Sequence, residues 1–141
     1  MGEKLIISLP YPPTENHMRQ NAYRYSSTGK RYVARTFTKT AKAWVEDAVE
    51  LVKKEVETAS WEALDCKTVV EMTVYFPDAK RRDASNLLKV TLDVLEKGGV
   101  YVNDRWALPL VKDFHVPSKT CKGSVELVIY AKGERACVSR V

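Results

Sequence analysis

The sequence predicts an α+β domain in which a mixed β-sheet is packed against two helices. Two stretches repeat apolar residues every three or four positions, as amphipathic helices do, and four others alternate apolar and polar residues, as half-buried strands do. In chain order these elements give β-α-β-α-β-β. With 141 residues and 45% hydrophobic content, the chain has enough apolar surface for one core. We therefore expect a single domain over residues 1–133, with the patternless residues 134–141 as a loose tail.

The first strand is predicted at residues 4–9, and a basic, tyrosine-rich stretch follows it. The strand ends at Pro10-Tyr11-Pro12-Pro13, because prolines exclude a helix there. Within residues 14–37, the tip Ser26-Ser27-Thr28-Gly29 predicts a hairpin or a mobile loop. Cations interleaved with tyrosines can hold phosphates and stack on unpaired bases, so we expect DNA contacts from Arg19, Arg24, Lys30 and Arg31. The alternative is a solvated loop whose tyrosines rest on the core.

The remaining regular elements follow from the same periodicities. Apolar residues at helical spacing predict a long helix over residues 38–57, and alternation predicts a strand over residues 67–76. Two further strands are predicted at residues 106–116 and 124–132. The loop at residues 118–123 is expected to join these two strands as a hairpin.

Composition and charge indicate which kinds of partner and site to expect. The formal net charge is +5 and the pI is about 9.1, which favours a polyanionic partner. Three cysteines without CxxC spacing and two histidines argue against a zinc site. The sequence shows no signal peptide and no apolar run of membrane-spanning length, so we expect a cytoplasmic protein without a membrane segment.

The segment from Lys80 to Asp104 carries the candidate chemistry. It opens with cations at the end of a predicted strand, Lys80, Arg81 and Arg82, and continues through Asp83 into the second helix. Most of that helix is apolar, but a narrow polar stripe remains: Asn86, Lys89, Asp93, Glu96 and Lys97. Gly98-Gly99 ends the helix and permits a positive φ, so the next residues can fold back along it.

This geometry can bring two carboxylates, Asp83 and Asp104, to the start of the helix beside Lys89. Hard oxygen ligands next to a lysine suit Mg²⁺-dependent phosphodiester chemistry. The alternative is structural, because an aspartate before a helix and an aspartate in a turn are both common, and the polar stripe is then a partly solvated face.

The same segment resembles the signature of a known family. Residues 82–104 read RDASNLLKVTLDVLEKGGVYVND, which is similar to the signature of the RusA family of Holliday junction resolvases at these positions: Asp83, Asn86, Lys89, Asp93, Leu95 and Asp104. Residues 5–21, LIISLPYPPTENHMRQN, resemble the family's opening strand with its Leu-Pro-aromatic-Pro-Pro and downstream asparagine. The resemblance covers most of the chain.

The resemblance implies a Mg²⁺-dependent endonuclease, with Mn²⁺ as an alternative ion, that cuts four-way DNA junctions as a homodimer with two sites. Asp83 and Asp104 correspond to metal ligands and Lys89 to the group that steadies developing charge. Supporting roles are implied for Asn86, Asp93 and Asn103. The basic run Lys80, Arg81 and Arg82 is expected to hold the DNA backbone. A bacterial or phage origin is implied.

Two positions depart from the family pattern. Ser85 stands where the family places a second aspartate, and Asn103 replaces the first member of an acidic pair. The expected metal site is then Asp83, Asp104 and the Ser85 hydroxyl, although Ser85 is equally suited to be a helix N-cap. Asp93 lies about 15 Å along the helix from Asp83 at 1.5 Å per residue, too far to share its ion, so we expect Asp93 to pair with Lys89 instead.

Two other functions remain open, and the first of them follows from the missing aspartate. The first is a junction- or nucleic-acid-binding protein of the same fold with weak or no cleavage. The second is a basic RNA- or DNA-binding module in which Asp83 and Asp104 are only a cap and a turn residue.

Overall fold

The computed structural model describes residues 3–13 and 19–133. Its helices and strands follow in this order: β1 (Leu5–Pro10), β2 (Arg19–Tyr25), β3 (Arg31–Phe37), α1 (Lys39–Thr58), β4 (Thr68–Tyr75), α2 (Leu88–Lys97), β5 (Ala107–His115) and β6 (Ser124–Ala131). Short 3-10 turns at Ala84–Leu87 and Asp104–Trp106 flank α2. The predicted α+β class is confirmed. The predicted tail at residues 134–141 lies outside the described residues.

The four-stranded sheet has the order β1-β6-β4-β5. β6 is antiparallel to both of its neighbours, whereas β4 and β5 are parallel. The predicted hairpin between β5 and β6 is therefore wrong, because β4 lies between these strands. The chain crosses from β4 through α2 to reach β5 in parallel, which puts β5 on one side of β4 and leaves the other side for β6.

One face of this sheet forms the core with the helices. Alternate residues of β4 are buried on that face, among them Val70, Met72 and Val74, and they pack in one cluster with Ala48 and Val52 of α1. This alternation is the pattern on which the strand prediction rested. Within the described residues, neither helix has the length and apolar character needed to cross a bilayer.

The two glycines after α2 serve different purposes. Gly99 has φ +92°, a conformation that favours glycine, and makes the turn. Gly98 has φ −81°, but a Cβ there would overlap the side chain of Val52. Gly98 therefore allows α1 to approach the end of α2 closely, and only Gly99 has the positive φ expected of the pair.

A separate two-stranded ribbon precedes α1. β2 and β3 are antiparallel in a continuous register from Arg19↔Phe37 to Tyr25↔Arg31. The tip is closed by a hydrogen bond of 2.9 Å from Ser26 N–H to the Lys30 carbonyl, and Gly29 has φ +82°. The hairpin alternative for this stretch is confirmed.

Candidate active site

The start of α2 is built around Asp83. Its backbone is extended, and its Oδ1 accepts hydrogen bonds from the Ser85 N–H at 3.0 Å and the Ser85 hydroxyl at 2.7 Å. The hydrogen bond from the Ser85 hydroxyl lowers the pKa of the Asp83 carboxyl most, and the bond from the Ser85 N–H lowers it further. Asp83 is therefore the N-cap of the 3-10 turn. The alternative that Ser85 is a helix N-cap is wrong, since its hydroxyl serves Asp83, and both side chains are exposed.

The basic run before Asp83 contains one fixed cation and two exposed ones. Arg82 donates two hydrogen bonds to the Asp78 carboxylate, at 2.9 and 2.8 Å, and its guanidinium lies 5.7 Å from the centre of the Tyr11 ring. The Arg82 hydrogen bonds lower the pKa of Asp78 to about 2. Lys80 and Arg81 have exposed side chains. Arg82 thus anchors the loop, and its predicted contact with DNA stays a prediction.

The chain after α2 folds back along the helix, as the glycine pattern predicted. Tyr101 is buried, and its hydroxyl donates a hydrogen bond of 2.7 Å to the Leu92 carbonyl. Burial raises the pKa of Tyr101, and the negative charges of Asp104, Glu96 and Asp93 raise it further. The neighbouring carboxylates therefore lie close to this ring.

Two hydrogen bonds fix the backbone at Asp104 and at the residues beside it. Its N–H donates a hydrogen bond of 2.7 Å to Glu96 Oε1 on α2. Asn103, the position that departs from the family pattern, accepts a hydrogen bond of 2.9 Å from the Arg105 N–H and so caps the 3-10 turn. The polar stripe of α2 therefore has a structural partner in the returning chain.

Asp104 lies close enough to Asp93 to raise the pKa of that carboxyl, a relationship that was not predicted. Burial raises the pKa of Asp93, and a hydrogen bond and the charge of Asp104 raise it further, while Lys89 and Lys97 act in the opposite direction. Asp104 influences this carboxyl more strongly than Lys89 does, and the predicted pair of Asp93 with Lys89 stays a prediction. The signal was available, since a chain that turns back at Gly99 must bring residue 104 against the same polar stripe.

The candidate residues thus form two neighbourhoods. Asp83 and Ser85 lie at the turn before α2, with Asn86 donating its N–H to the Asp83 carbonyl at 3.1 Å. Asp93, Asp104, Lys89 and Lys97 lie along the helix. In the described ranges, no group of three or more histidine, cysteine or acidic side chains is arranged to hold a metal ion. That Asp83, Ser85 and Asp104 share one ion stays a prediction.

A cavity of about 390 Å³ opens beside Asp83. Its walls combine the loop with the ends of two parallel strands, and its lining residues are Phe76, Arg81, Arg82, Asp83, Ala84, Ser85, Val111 and Phe114. The apolar lining residues were not predicted as part of a site. They come together only because β4 and β5 are parallel neighbours, a pairing that no local pattern predicts.

The β2–β3 ribbon presents aromatic rings and cations to solvent. Tyr23, Tyr25 and Tyr32 are exposed, and the Arg31 guanidinium lies 4.4 Å from the centre of the Tyr23 ring. Arg24 and Lys30 are also exposed. Arg19 lies on β2, and its side chain is outside the described part of the molecule. The tyrosines do not rest on the core, so the solvated-loop alternative is wrong in that respect.

Comparison with known proteins identifies the family of this chain. A family model described as Endodeoxyribonuclease RusA matches residues 10–130. The chain is 27% identical over 129 residues to the crossover junction endodeoxyribonuclease RusA of Escherichia coli (strain K12), with 90% of this chain and 94% of that protein covered. The protein of the same name from Enterobacteria phage 82 is 26% identical over the same length, with the same coverage.

A third relative matches the chain over a shorter length. The crossover junction endodeoxyribonuclease RusA of Aquifex aeolicus (strain VF5) is 35% identical over 68 residues, which is 48% of this chain and about half, 51%, of that protein. Because the family model spans most of the sequence, from the end of β1 to the end of β6, the chain belongs to the RusA endodeoxyribonuclease family.

Proposed function

We propose that this protein is a Mg²⁺-dependent endodeoxyribonuclease that resolves four-way DNA junctions by paired phosphodiester hydrolysis. Family membership and the names of the relatives support the substrate and the reaction class. The observation that carries the proposal is the position of Asp104 on the polar side of α2. Its N–H donates a hydrogen bond of 2.7 Å to Glu96 Oε1, and its carboxyl raises the pKa of Asp93, on which Lys89 and Lys97 also act. Carboxylates in contact repel each other when both are ionised, and a bound cation relieves that repulsion.

The donor set suits magnesium. Mg²⁺ is commonly held by one or two carboxylates, with water and substrate phosphate completing its shell, so a cluster of three acidic residues is not required. Asp83 and Asp104 are the proposed ligands, with the Ser85 hydroxyl as a third donor and Mn²⁺ as an alternative ion. When bound, the ion supplies Lewis-acid polarisation of the scissile phosphate.

The surrounding residues have roles that follow from their contacts. Asp93 orients the Asp104 carboxylate, and Glu96 fixes the Asp104 backbone. Lys89 places a positive charge near these carboxylates, where it stabilises negative charge that develops on the phosphate. Asn86 and Asn103 support the two turns from which Asp83 and Asp104 project.

DNA is held mainly through its phosphates. Lys80 and Arg81 lie beside Asp83, and the ribbon adds Arg24, Lys30 and Arg31. Cations of this kind position a duplex without reading its sequence. Two symmetric cuts are needed to resolve a junction, so we propose a homodimer with two sites. Light scattering of the protein alone and with a junction tests that assembly, and a monomer in both conditions contradicts it.

A second candidate function is junction binding with little or no cleavage. Ser85 replaces a family aspartate, and its hydroxyl is committed to Asp83, which favours weak metal binding. The deciding experiment incubates the protein with a synthetic four-way junction, with and without Mg²⁺. Symmetric cuts that need Mg²⁺ support the nuclease, and binding without cuts supports the second candidate. Equal affinity for a junction and for linear duplex contradicts both and favours a general basic module.

A further inference from the structure

We propose that the cavity between the Asp83 loop and the ends of β4 and β5 binds one unstacked nucleobase of the DNA strand, next to the phosphate at the candidate site. This inference rests on the proposed function and names the part of the substrate that the neighbouring cavity takes. The occupant is a base attached to its own strand, and it stacks on the Phe114 ring.

The cavity has the shape and chemistry for an aromatic ring. Phe76, which is 3% exposed, and Ala84, which is 8% exposed, are lining residues buried beneath the surface. Phe114 lines the opening with 55% of its surface exposed, and its ring lies 5.8 Å from that of Phe76 at an angle of 56°. The volume of about 390 Å³ is within the usual range for small-ligand sites. A flat apolar ligand can therefore bury one face on Phe114.

The polar rim indicates that this ligand carries a phosphate. Arg81 is exposed at the rim, and Arg82 is fixed beside it by Asp78. Asp83, a proposed metal ligand, lines the same cavity. A strand whose phosphate lies at Asp83 thus has its adjacent base within reach of Phe114. Aromatic rings beside cations are the usual means of holding unpaired nucleotides.

The exposed position of Phe114 argues against a purely structural role. Phe114 lies on β5, the edge strand of the sheet, and more than half of its surface is open to solvent. A residue of the same strand, Leu110, is similarly exposed at 52% but does not line the cavity. Leu110 is therefore a matched control for loss of an apolar side chain from this strand.

The experiment combines protein variants with DNA that lacks single bases. Junctions carry one abasic site at each position flanking the cut, and cleavage rates in Mg²⁺ are compared for the unsubstituted protein, Phe114→Ala, Phe114→Tyr and Leu110→Ala. Stacking contacts predict a loss of about 5- to 100-fold for Phe114→Ala on intact DNA. The same loss is expected for the unsubstituted protein on one abasic junction. Phe114→Ala should lose nothing more on that junction, whereas Phe114→Tyr and Leu110→Ala should behave as the unsubstituted protein.

A second readout does not require cleavage. The fluorescence of 2-aminopurine at that position, measured without Mg²⁺, should change when the unsubstituted protein or Leu110→Ala binds, and should not change with Phe114→Ala. The inference is overturned if Phe114→Ala loses further activity on the abasic junction, so that the two losses add, or if Phe114→Ala cuts intact DNA as fast as the unsubstituted protein does. It is also overturned if the unsubstituted protein binds the junction without changing the 2-aminopurine fluorescence. A Phe114→Ala variant that loses its oligomeric state overturns it in favour of a subunit contact. Failure of the proposed function is distinct, because the unsubstituted protein then cuts no junction.

Discussion

The carboxyl group of Asp104 raises the pKa of Asp93, although Asp93 lies in the middle of α2 and Asp104 lies eleven positions later in the chain. The Gly99 turn and the buried Tyr101 hydroxyl bring them together. A helix with a polar stripe thus acquires a second acidic residue from the returning chain. The pairing gives the site negative charge that a cation can neutralise.

Substitution of Asp93 by asparagine should stabilise the metal-free protein at neutral pH. The pKa of Asp93 is raised in the folded state, so its contribution to stability is present below the unfolded pKa, about 3.9, and is lost as the pH rises through the folded pKa. Asp93→Asn removes the charge repulsion and can still donate to Asp104. Thermal melting in a chelator should show a gain at pH 7 that shrinks towards pH 4.

The control for that experiment is Asp47→Asn, an exposed change on α1. It should leave the melting temperature nearly unchanged at both pH values. If Asp93→Asn has no effect at pH 7, the two carboxylates do not interact as described. We also expect the variant to lose about 10- to 100-fold in metal-supported cleavage, as changes to groups that orient metal ligands commonly do.

Asp83→Asn and Asp104→Asn should each abolish cleavage while junction affinity stays the same or rises. Each change removes a proposed metal ligand and also a negative charge that faces phosphate. Gel-shift titration and cleavage assays on the same junction separate the two effects. Asp47→Asn, an exposed change on α1, is the control and should retain both. Near-normal cutting by either site variant excludes that residue as a ligand.

Arg81 and Arg82 should respond differently to replacement by alanine. The logarithm of the binding constant falls linearly with the logarithm of the salt concentration, and Arg81→Ala is expected to make that slope shallower by about one, because one phosphate contact is lost. Arg82→Ala should instead reduce thermal stability, since it breaks the two bonds to Asp78. An Arg81→Ala slope equal to that of the unsubstituted protein contradicts the phosphate contact.

The Asp78–Arg82 pair also predicts that the stability of the fold decreases in acid. The pKa of Asp78 is lowered to about 2, so its contribution to stability is present above the unfolded pKa, about 3.9, and is lost as the pH falls through 2. Unfolding measured between about pH 4 and pH 2 should be steeper in pH for the unsubstituted protein than for Arg82→Ala. Parallel curves contradict the pairing.

Gly98→Ala should destabilise the fold by about 1–3 kcal/mol, which is the usual cost of overpacking a core. The new Cβ overlaps the Val52 side chain on α1. A double variant, Gly98→Ala with Val52→Ala, removes the Val52 Cγ1 atom from the overlap but leaves the Val52 Cβ. It therefore relieves the overlap in part and should lose less than the sum of the two single changes. Chemical denaturation measures all three variants, and strict additivity contradicts the contact.

The helices and strands that follow from a local sequence pattern were predicted correctly. Helical spacing located α1 to within a residue at each end, and alternation located the strands of the main sheet. The position of β6 between β1 and β4 was not predicted, because strand neighbours far apart in the chain leave no local signal. The same limit explains why the cavity with Phe76 and Phe114 was missed. The proximity of Asp104 to Asp93 is different, because the turn at Gly99 and the polar stripe of α2 together indicate it.

Ser85→Asp tests whether the departure from the family pattern weakens metal binding. The Ser85 hydroxyl lies 2.7 Å from Asp83 Oδ1 and donates to it, so an aspartate at this position replaces a donor by a second negative charge. Without metal, that change should raise the pKa of Asp83 and lower thermal stability. With Mg²⁺, a carboxylate is a stronger ligand than a hydroxyl, so less metal should be needed for half-maximal cleavage.

Ser85→Ala separates the two roles of the hydroxyl. It removes the hydrogen bond to Asp83 without adding a ligand, so it should lower stability slightly and leave the metal requirement equal or higher. Mg²⁺ should therefore raise the melting temperature of Ser85→Asp more than that of the unsubstituted protein, and that of Ser85→Ala least, because a ligand that binds only the folded state stabilises it. This order is measurable without cleavage. An unchanged metal requirement in a folded Ser85→Asp protein means that Ser85 only fixes the Asp83 carboxylate, and that the ion is held by Asp83 and Asp104 without it.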